Sequence, residues 1–353
     1  MTREELHQEI RSGVIRNCYL LEGEEEYTKH AAAMSLREAV ISGEFAQLNG
    51  SVLVDPTAQE LIACAETLPL MADKRFVLVK DSSLFSGRGG KEEEEQPSLE
   101  GKGDDADRIA QYLSQLPDTV CLVFWQKGKA NRTRKAFKQI AKRGGHVSFD
   151  PLDQRTKVKW IARELKRFGK AIEYQTAEQL LFAVGDDMFL LFNELQKLAA
   201  WAGDDEQIRP EGIDSVCSKS SEYRVFDLSD ALATGQSRRT AQLMDEMLRE
   251  GEQRLMLLAL LQRQYRQLLF TRFLADTRLP ADAVASKLGV PPFVARKLLG
   301  TVRRYAASML EQAYSILVDT EFQVKSGLIA EEGCLEQAVY RILALQEEQA
   351  DAG

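Results

Sequence analysis

The sequence has 353 residues, of which 44% are hydrophobic and 28% are charged, and its formal net charge is -8 at pH 7. These values are ordinary for a soluble globular protein, and the length predicts two or three domains, each with its own core. No apolar run approaches the length of a membrane span, and the N-terminus lacks the apolar segment of a secretory signal, so we expect a cytoplasmic protein with no membrane partner.

The cysteines and histidines favour neither a disulfide framework nor a metal site. The five cysteines are scattered without a C-x-x-C pair, and the three histidines are not spaced with other ligand types along a helix. We therefore expect reduced, mostly buried thiols, no metal and no histidine-based catalytic centre. The cysteines are Cys18, Cys64, Cys121, Cys217 and Cys334.

The first part of the chain alternates short apolar strands with helices. This alternation predicts an α/β domain over residues 1–149, built on a doubly wound parallel sheet. A stretch rich in glycine and charge, residues 82–107, interrupts the pattern and is predicted to be a flexible surface insertion. The predicted strands are 18–21, 52–54, 75–81, 119–126 and 146–150.

After Pro151 the patterns are helical, and no further strand is predicted. Residues 150–215 form a small helical unit, and residues 216–347 contain several amphipathic helices. One of these helices has so wide an apolar face that it must lie among other helices. The fold class is therefore α/β followed by all-α, with a helical bundle at the C-terminal end.

A nucleotide site is testable where the first strand meets the following helix. The sequence there is "EGEEEYTKH", which has Gly23 and Lys29 but lacks the second glycine of a phosphate-binding loop, and Lys29 is followed by His30 where that loop has Ser or Thr. Glu24 to Glu26 would place negative charge against the phosphates. The third strand ends in Lys80 and Asp81 rather than in paired carboxylates for magnesium, so we expect no bound nucleotide and no other cofactor.

An apolar cluster precedes the third strand. Leu68, Pro69, Leu70 and Met71 come at the predicted end of a helix in "ETLPLMADKRFVLVKD". Apolar residues at such a place either close the core over the strand or form a plug that a partner receives. The residues alone leave both readings open.

The negative net charge conceals a basic segment. Residues 127–170 contain fifteen Lys and Arg against three acidic residues, a local balance of +12, and the rest of the chain sums to -20. Such a segment is suited to phosphate, although a solvated helical face that balances acidic neighbours has the same composition.

Taken in order, these motifs resemble the delta subunit family of the bacterial DNA polymerase III clamp loader. The resemblance extends from "YLLEGEEEY" and "LPLMADKRFVLVKD" through "LPDTVCLVFWQKGKANRTRKAFKQI" and "LLFNELQKLAAWAG" to "KLGVPPFVARKL" and "EFQVKSG". It implies an AAA+-like domain with a degenerate nucleotide site, a helical lid domain over 150–215, and a collar domain over 216–347 that joins the other clamp-loader subunits.

The resemblance also implies a partner and a site. In that family an apolar wedge before the third strand docks in the ring-shaped sliding clamp and helps to open it, without ATP hydrolysis by the subunit itself. The matching positions are Leu68, Leu70 and Met71, with Met71 where relatives often have an aromatic residue. Primed DNA, bound without sequence preference, would face part of the basic segment, namely Lys127, Lys129, Arg132, Arg134, Lys135 and Lys138.

Three other functions fit parts of the sequence. Residues 281–300 have the outline of a helix-turn-helix, which would make the protein a DNA-binding regulator. The second helix, however, begins with Pro291, Pro292 and Phe293, which cannot read base edges by hydrogen bonding. An ATPase subunit of the same fold is opposed by the loop after Gly23, and a scaffold without clamp contact would require Leu70 and Met71 to be buried.

Overall fold

The structure of the protein is a computed structural model, and it describes residues 1–86, 102–277 and 279–351. Two compact units divide the chain between Leu152 and Asp153. The first unit ends close to the predicted boundary at residue 149. The finer division of the second unit into a lid and a collar stays a prediction.

The first unit is a five-stranded sheet in which all strands are parallel, in the order β2-β3-β4-β1-β5. Its central strands are buried on both faces, as expected when helices cover both sides. The predicted α/β fold class is confirmed. The strands are β1 Cys18–Glu22, β2 Gly50–Val54, β3 Arg75–Lys80, β4 Val120–Trp125 and β5 His146–Ser148.

Two apolar clusters pack against the two faces of this sheet because side chains alternate along each strand. Leu20, Leu122 and Phe124 pack on one face with α3, α4 and α5, whereas Tyr19 and Val123 pack on the other with α1 and α2. The helices of this unit are α1 Arg3–Ser12, α2 Glu26–Val40, α3 Ala58–Glu66, α4 Lys102–Tyr112 and α5 Lys135–Lys142.

The prediction that residues 82–107 form a flexible insertion is wrong at both ends of that segment. A short 3-10 turn, Ser83–Phe85, buries Leu84 and Phe85 in the core, where Phe85 packs edge-on against Phe124 at 5.1 Å between ring centres. At the other end, α4 begins at Lys102 and packs against α3 and α5. Residues 87–101 of the prediction lie outside the described residues.

The second unit is mostly helical, and its largest core joins α10, α11, α12, α14, α15 and α16. The prediction of no strand after Pro151 is wrong, because two strands of two residues each pair in parallel, β6 Ala171–Ile172 and β7 Gln207–Ile208. The helices are α6 Gln154–Arg167, α7 Tyr174–Val184, α8 Met188–Trp201, α9 Pro210–Val216, α10 Ser221–Ala233, α11 Ser237–Arg249, α12 Arg254–Ala275, α13 Ala281–Leu288, α14 Pro292–Val302, α15 Ala307–Lys325 and α16 Cys334–Asp351.

The structure also bears on the cysteines and on membrane-spanning helices. Of the five free cysteines, all but Cys64 are buried, as the sequence predicts, and burial raises the pKa of the Cys121 thiol to about 12. Within the described ranges, no helix is long and apolar enough to cross a bilayer.

Candidate functional site

The apolar cluster before β3 lies on a loop rather than in the core. We call residues 67–74, which connect α3 to β3, the tip loop. Helix α3 ends at Glu66, Thr67 leaves the helical conformation, and Pro69 cannot continue a helix because it has no N–H to donate. Met71 has a φ of 52°, a left-handed conformation that is uncommon for a residue with a side chain. The chain thus turns sharply before it enters the sheet.

The side chains of this loop point to solvent. Leu68 is 78% exposed, Leu70 is 51% exposed and Met71 is 81% exposed. The reading in which Leu70 and Met71 close the core over β3 is therefore wrong, since Phe76, Val77, Leu78 and Val79 of the strand itself supply that core.

Asn49 holds the backbone of the tip loop in place. Its side chain is 1% exposed, its Oδ1 accepts the N–H of Leu70 at 2.7 Å, and its Nδ2 donates to the carbonyl of Leu70 at 2.8 Å. The same Nδ2 donates to the carbonyl of Phe45 at 3.1 Å. One buried amide therefore fixes Leu70 by both of its backbone groups. Asn49 was not found by sequence analysis, because no pattern links two residues so far apart in the chain.

We expect Asn49→Ala to loosen the tip loop. The substitution removes all three hydrogen bonds, and each is worth about 0.5–1.5 kcal/mol. Hydrogen exchange should show faster exchange of the Leu70 amide. Asn17→Ala, which removes the bond from Asn17 to the Asp118 carboxylate at 3.2 Å, should leave that amide unchanged. Equal exchange at Leu70 in Asn49→Ala and the native protein would contradict this role.

In the loop after β1, the backbone N–H groups that could bind a phosphate are hydrogen-bonded within the protein. The Glu25 carboxylate accepts the N–H groups of Tyr27 at 3.1 Å and Thr28 at 2.9 Å, which lie in the first turn of α2. The N–H of Gly23 donates to the carbonyl of Gly128 at 2.7 Å. These N–H groups would cradle phosphates in a nucleotide-binding protein, and here they bond to the chain instead.

Gly23 is required by packing rather than by a ligand. Its φ is 116°, and a side chain there would begin 2.3 Å from the carbonyl oxygen of Phe149, which follows β5. The glycine that looks like part of a phosphate loop therefore allows the close approach of two chain segments.

Lys29, at the position of a phosphate-loop lysine, is turned inward. Its ammonium group is fully buried and donates to the carbonyls of Gly23 at 2.7 Å and Gln126 at 2.9 Å and to the Glu26 carboxylate at 2.6 Å. It also lies 5.4 Å from the ring centre of Trp125. Every donor of this ammonium has a partner within the protein, so none faces a phosphate.

The other residues near a possible nucleotide site also make contacts within the protein or face solvent. The Lys80 ammonium lies over the Trp125 ring at 5.3 Å, and Asp81 beside it is exposed. Asn131, in the loop after β4, accepts the N–H of Thr133 at 3.0 Å and the hydroxyl of the same residue at 2.8 Å. It therefore shapes the turn in which it lies.

A buried carboxylate connects β1 to β5 and to the loop after β4. Glu22 bonds His146 Nε2 at 2.5 Å and accepts the N–H of Ala130. Burial would raise the pKa of Glu22, but the hydrogen bonds from His146 and Ala130 outweigh it and hold that pKa below its ordinary value. Glu22 thus stays ionised and fixes the start of the basic segment.

The six predicted DNA-facing residues divide into two groups. Arg134 donates to the carbonyl of Ser86 at 3.0 Å, and Lys135 pairs with Asp107 at 2.9 Å. The remaining four are exposed and pair with no acidic side chain among the described residues. They are Lys127, Lys129, Arg132 and Lys138.

The sheet places the tip loop and the loop after β4 at opposite edges. In a parallel sheet all strands begin at one edge, so the tip loop, which precedes β3, lies at the amino edge. The residues after β4, from Gln126 to Arg134, lie at the carboxyl edge with Lys29. The structure therefore does not join the two predicted contact regions into a single site.

The helix-turn-helix outline is a packed hairpin. Gly289 ends α13 in the left-handed conformation, and Val294, Ala295 and Leu298 of α14 are buried. Lys297 lies 4.2 Å from the ring centre of Phe226. One face of α14 therefore packs within the helical bundle, and Arg296 on its exposed side pairs with Glu178 at 3.0 Å. In the described part of the chain, no three His, Cys, Asp or Glu side chains are grouped to hold a metal ion.

Family comparisons match most of the chain. The model described as "DNA polymerase III, delta subunit" matches residues 19–150, and the one described as "DNA polymerase III delta subunit, C-terminal domain" matches residues 222–342. Together the two matches cover more than two thirds of the sequence.

Two relatives and one solved structure match almost the full length. The DNA polymerase III subunit delta of Bacillus subtilis is 24% identical over 96% of both chains. That of Escherichia coli is 21% identical over 91% of this chain and 90% of its own. The solved Bacillus subtilis DNA clamp loader delta protein has a TM-score of 0.56 at 23% identity, covering 97% of this chain and 99% of the other, and it supports the fold.

Proposed function

This chain belongs to the DNA polymerase III delta subunit family and is a component of the clamp loader, and on that premise we propose that it binds and opens the ring-shaped sliding clamp without hydrolysing ATP itself. The contact is made by Leu70 and Met71, with Leu68 beside them. The observation that carries this proposal is the exposure of three large apolar side chains on a loop whose backbone is fixed by a buried amide.

The loop geometry suits an apolar partner pocket. Burying Leu70 and Met71 in a partner would contribute about 1.5–3 kcal/mol for each side chain. Asn49 holds the loop in one conformation before binding, so little conformational entropy is lost on docking. The methionine side chain is unbranched and adapts to an irregular cavity.

The mechanism is mechanical. ATP bound by partner subunits would change the arrangement of the assembly and so expose or cover the tip loop, which shifts the clamp between closed and open states. This subunit contributes the contact and not the chemical energy. The loop after β1 supports that division of roles. A triphosphate would need backbone N–H donors and a lysine there, but the Glu25 carboxylate already accepts the N–H of Thr28 and the Lys29 ammonium already donates to the carbonyl of Gly23.

The test uses the purified protein and its own sliding clamp. We expect the immobilised clamp to capture the protein in the absence of nucleotide, and we expect a titration with ATP to show no binding to the isolated protein. Failure of capture at micromolar protein would contradict clamp binding. Stoichiometric ATP binding would contradict the expected absence of a nucleotide site, and release of phosphate from that ATP would favour an ATPase subunit of the same fold.

The basic residues at the carboxyl edge are proposed to contact primed DNA without sequence preference. Lys127, Lys129 and Arg132 are exposed and follow one another in the loop that Glu22 fixes through Ala130. Phosphate contacts would account for the local positive charge in an otherwise acidic chain.

We expect the triple variant Lys127→Gln/Lys129→Gln/Arg132→Gln to weaken binding of the assembled loader to primed DNA. Each lost phosphate contact should reduce the slope of log K against log salt concentration by about 0.9 for duplex DNA. Lys135→Gln, whose ammonium already pairs with Asp107, is the matched control and should change the slope less. Equal slopes for the triple variant and the native loader would contradict DNA contact at this edge.

The helical bundle of the second unit is proposed to join the other clamp-loader subunits. Its helices α12 and α15 carry large exposed apolar side chains, among them Phe270, Phe273 and Phe322. Exposed apolar surface of this kind is typical of protein interfaces. Through these subunits the protein would be associated with the replisome.

A further inference from the structure

A second group of exposed apolar residues lies beside the tip loop. We call residues 42–49, which lead into β2, the flank turn. Because β2 and β3 are neighbouring parallel strands, the flank turn and the tip loop lie side by side at the amino edge of the sheet. Phe45 is 41% exposed and Leu48 is 58% exposed.

The flank turn and the tip loop are joined by one side chain. Asn49 Nδ2 donates to the carbonyl oxygen of Phe45 at 3.1 Å and to that of Leu70 at 2.8 Å, so one nitrogen bridges the two segments. The turn is also bonded within itself, since the N–H of Leu48 donates to the carbonyl of Phe45 at 3.1 Å. Arg75 at the start of β3 donates to the carbonyl of Leu48 at 3.3 Å. The two segments are therefore one rigid surface.

Exposed apolar side chains are concentrated in this part of the first unit. Of the eight large apolar side chains that are exposed in the described part of that unit, five lie on the flank turn and the tip loop, namely Phe45, Leu48, Leu68, Leu70 and Met71. The other three are Val14, and Val52 and Val54 on the outer strand β2. Solvated loops rarely place so many apolar groups together unless a partner covers them. The charged residue of the turn, Glu44, is exposed and directly precedes Phe45, and charged residues are typical of the polar rim of an interface.

We propose that the flank turn is a second part of the clamp-binding surface, with Phe45 and Leu48 packing on the clamp beside the pocket that receives Leu70 and Met71. This inference rests on the proposed clamp binding and deepens it. The occupant is the clamp rather than a second copy of this chain, because the turn shares its fixing residue Asn49 with the tip loop. Asn49 then acts as a positioning residue for both segments.

The test compares three double variants in equilibrium binding to the sliding clamp. We expect Phe45→Ser/Leu48→Ser to weaken the affinity about tenfold to a hundredfold while the melting temperature stays close to native, since both side chains are already partly solvated. Val52→Thr/Val54→Thr is the control: it makes polar an apolar pair that is 62% and 67% exposed on the outer strand β2, and it should leave the affinity unchanged.

The outcomes separate this inference from the function on which it rests. If Leu70→Ala/Met71→Ala abolishes binding and Phe45→Ser/Leu48→Ser does not weaken it, the flank turn is no part of the interface and the inference is wrong. An equal loss in Val52→Thr/Val54→Thr, or a change in self-association measured by sedimentation in place of a change in clamp affinity, would also overturn it. If the Leu70 and Met71 variant still binds normally, the proposed function itself fails.

Discussion

The double variant Leu70→Ala/Met71→Ala is expected to lose clamp capture completely at concentrations that saturate the native protein. The loss follows from the apolar area that the two side chains would bury, about 1.5–3 kcal/mol each, which together correspond to at least a hundredfold lower affinity. Both side chains are exposed in the free protein. Their truncation should therefore leave the melting temperature and the circular dichroism spectrum close to native.

The single variant Leu70→Ala tests one of the two positions by itself. Leu70→Ala alone truncates the side chain whose backbone Asn49 fixes, so its effect on affinity should not depend on loop rearrangement. Val14→Ala is the control, because Val14 is an exposed apolar residue that lies outside the tip loop and the flank turn. Unchanged capture by the double variant, or a fall in melting temperature that accounts for the lost binding, would contradict a clamp contact at this loop.

The second large effect is expected from Lys29→Met, and it is an effect on stability rather than on nucleotide binding. The substitution keeps most of the apolar stem and removes the ammonium group, which leaves the carbonyls of Gly23 and Gln126 without that donor inside the protein. Unsatisfied buried groups of this kind cost about 1–3 kcal/mol each. The two groups together cost about 2–6 kcal/mol, so the first unit should unfold roughly 4–24 °C lower, by the usual relation for domains of this size.

Lys127→Met is the matched control for that experiment. Lys127 is an exposed lysine directly after Gln126, and removing its charge should change the melting temperature little. Millimolar ATP with magnesium should not raise the melting temperature of the native protein, because a ligand stabilises a fold only if it binds it. A rise with ATP that Lys29→Met abolishes would instead mean that Lys29 binds phosphate.

The sheet could be predicted from the sequence because its strands are apolar on both faces and are separated by helical patterns. Cys18–Glu22 and Val120–Trp125 are continuous apolar or buried segments of this kind. The two-residue strands of the second unit were missed because such a short segment has no measurable periodicity. The helix Arg3–Ser12 was not identified either, although the Thr2 and Glu5 capping box and Gly13 mark both of its ends.

The candidate site was predictable only in part. The tip loop followed from a helix end, a proline and an apolar group in sequence, but its exposure depends on whether other segments cover it. The bond between Asn49 and Leu70 joins the segments that precede two neighbouring strands, and nothing in either local sequence indicates it. The extent of the flexible insertion was misjudged for the same reason, since Phe85 of the 3-10 turn is buried against Phe124 of β4.

The loop after Gly23 was likewise predictable only in part. Missing motif residues in the loop after Gly23 predicted that phosphate binding would be opposed. The sequence did not indicate that Lys29 would turn inward or that Glu25 would accept the N–H groups of α2, because both depend on the carbonyl of Gln126 and on the path of the loop. Sequence therefore identified which chemical groups are absent, and the structure showed what the remaining ones do.

The most direct measurement of the central claim is cross-linking from the tip loop to the clamp. A photoreactive amino acid in place of Met71 should cross-link to the purified sliding clamp on irradiation, and mass spectrometry should map the product to one apolar pocket of the ring. The same amino acid in place of Val14 should give no such product. Absence of a cross-link from position 71 under conditions in which the protein binds the clamp would contradict the account.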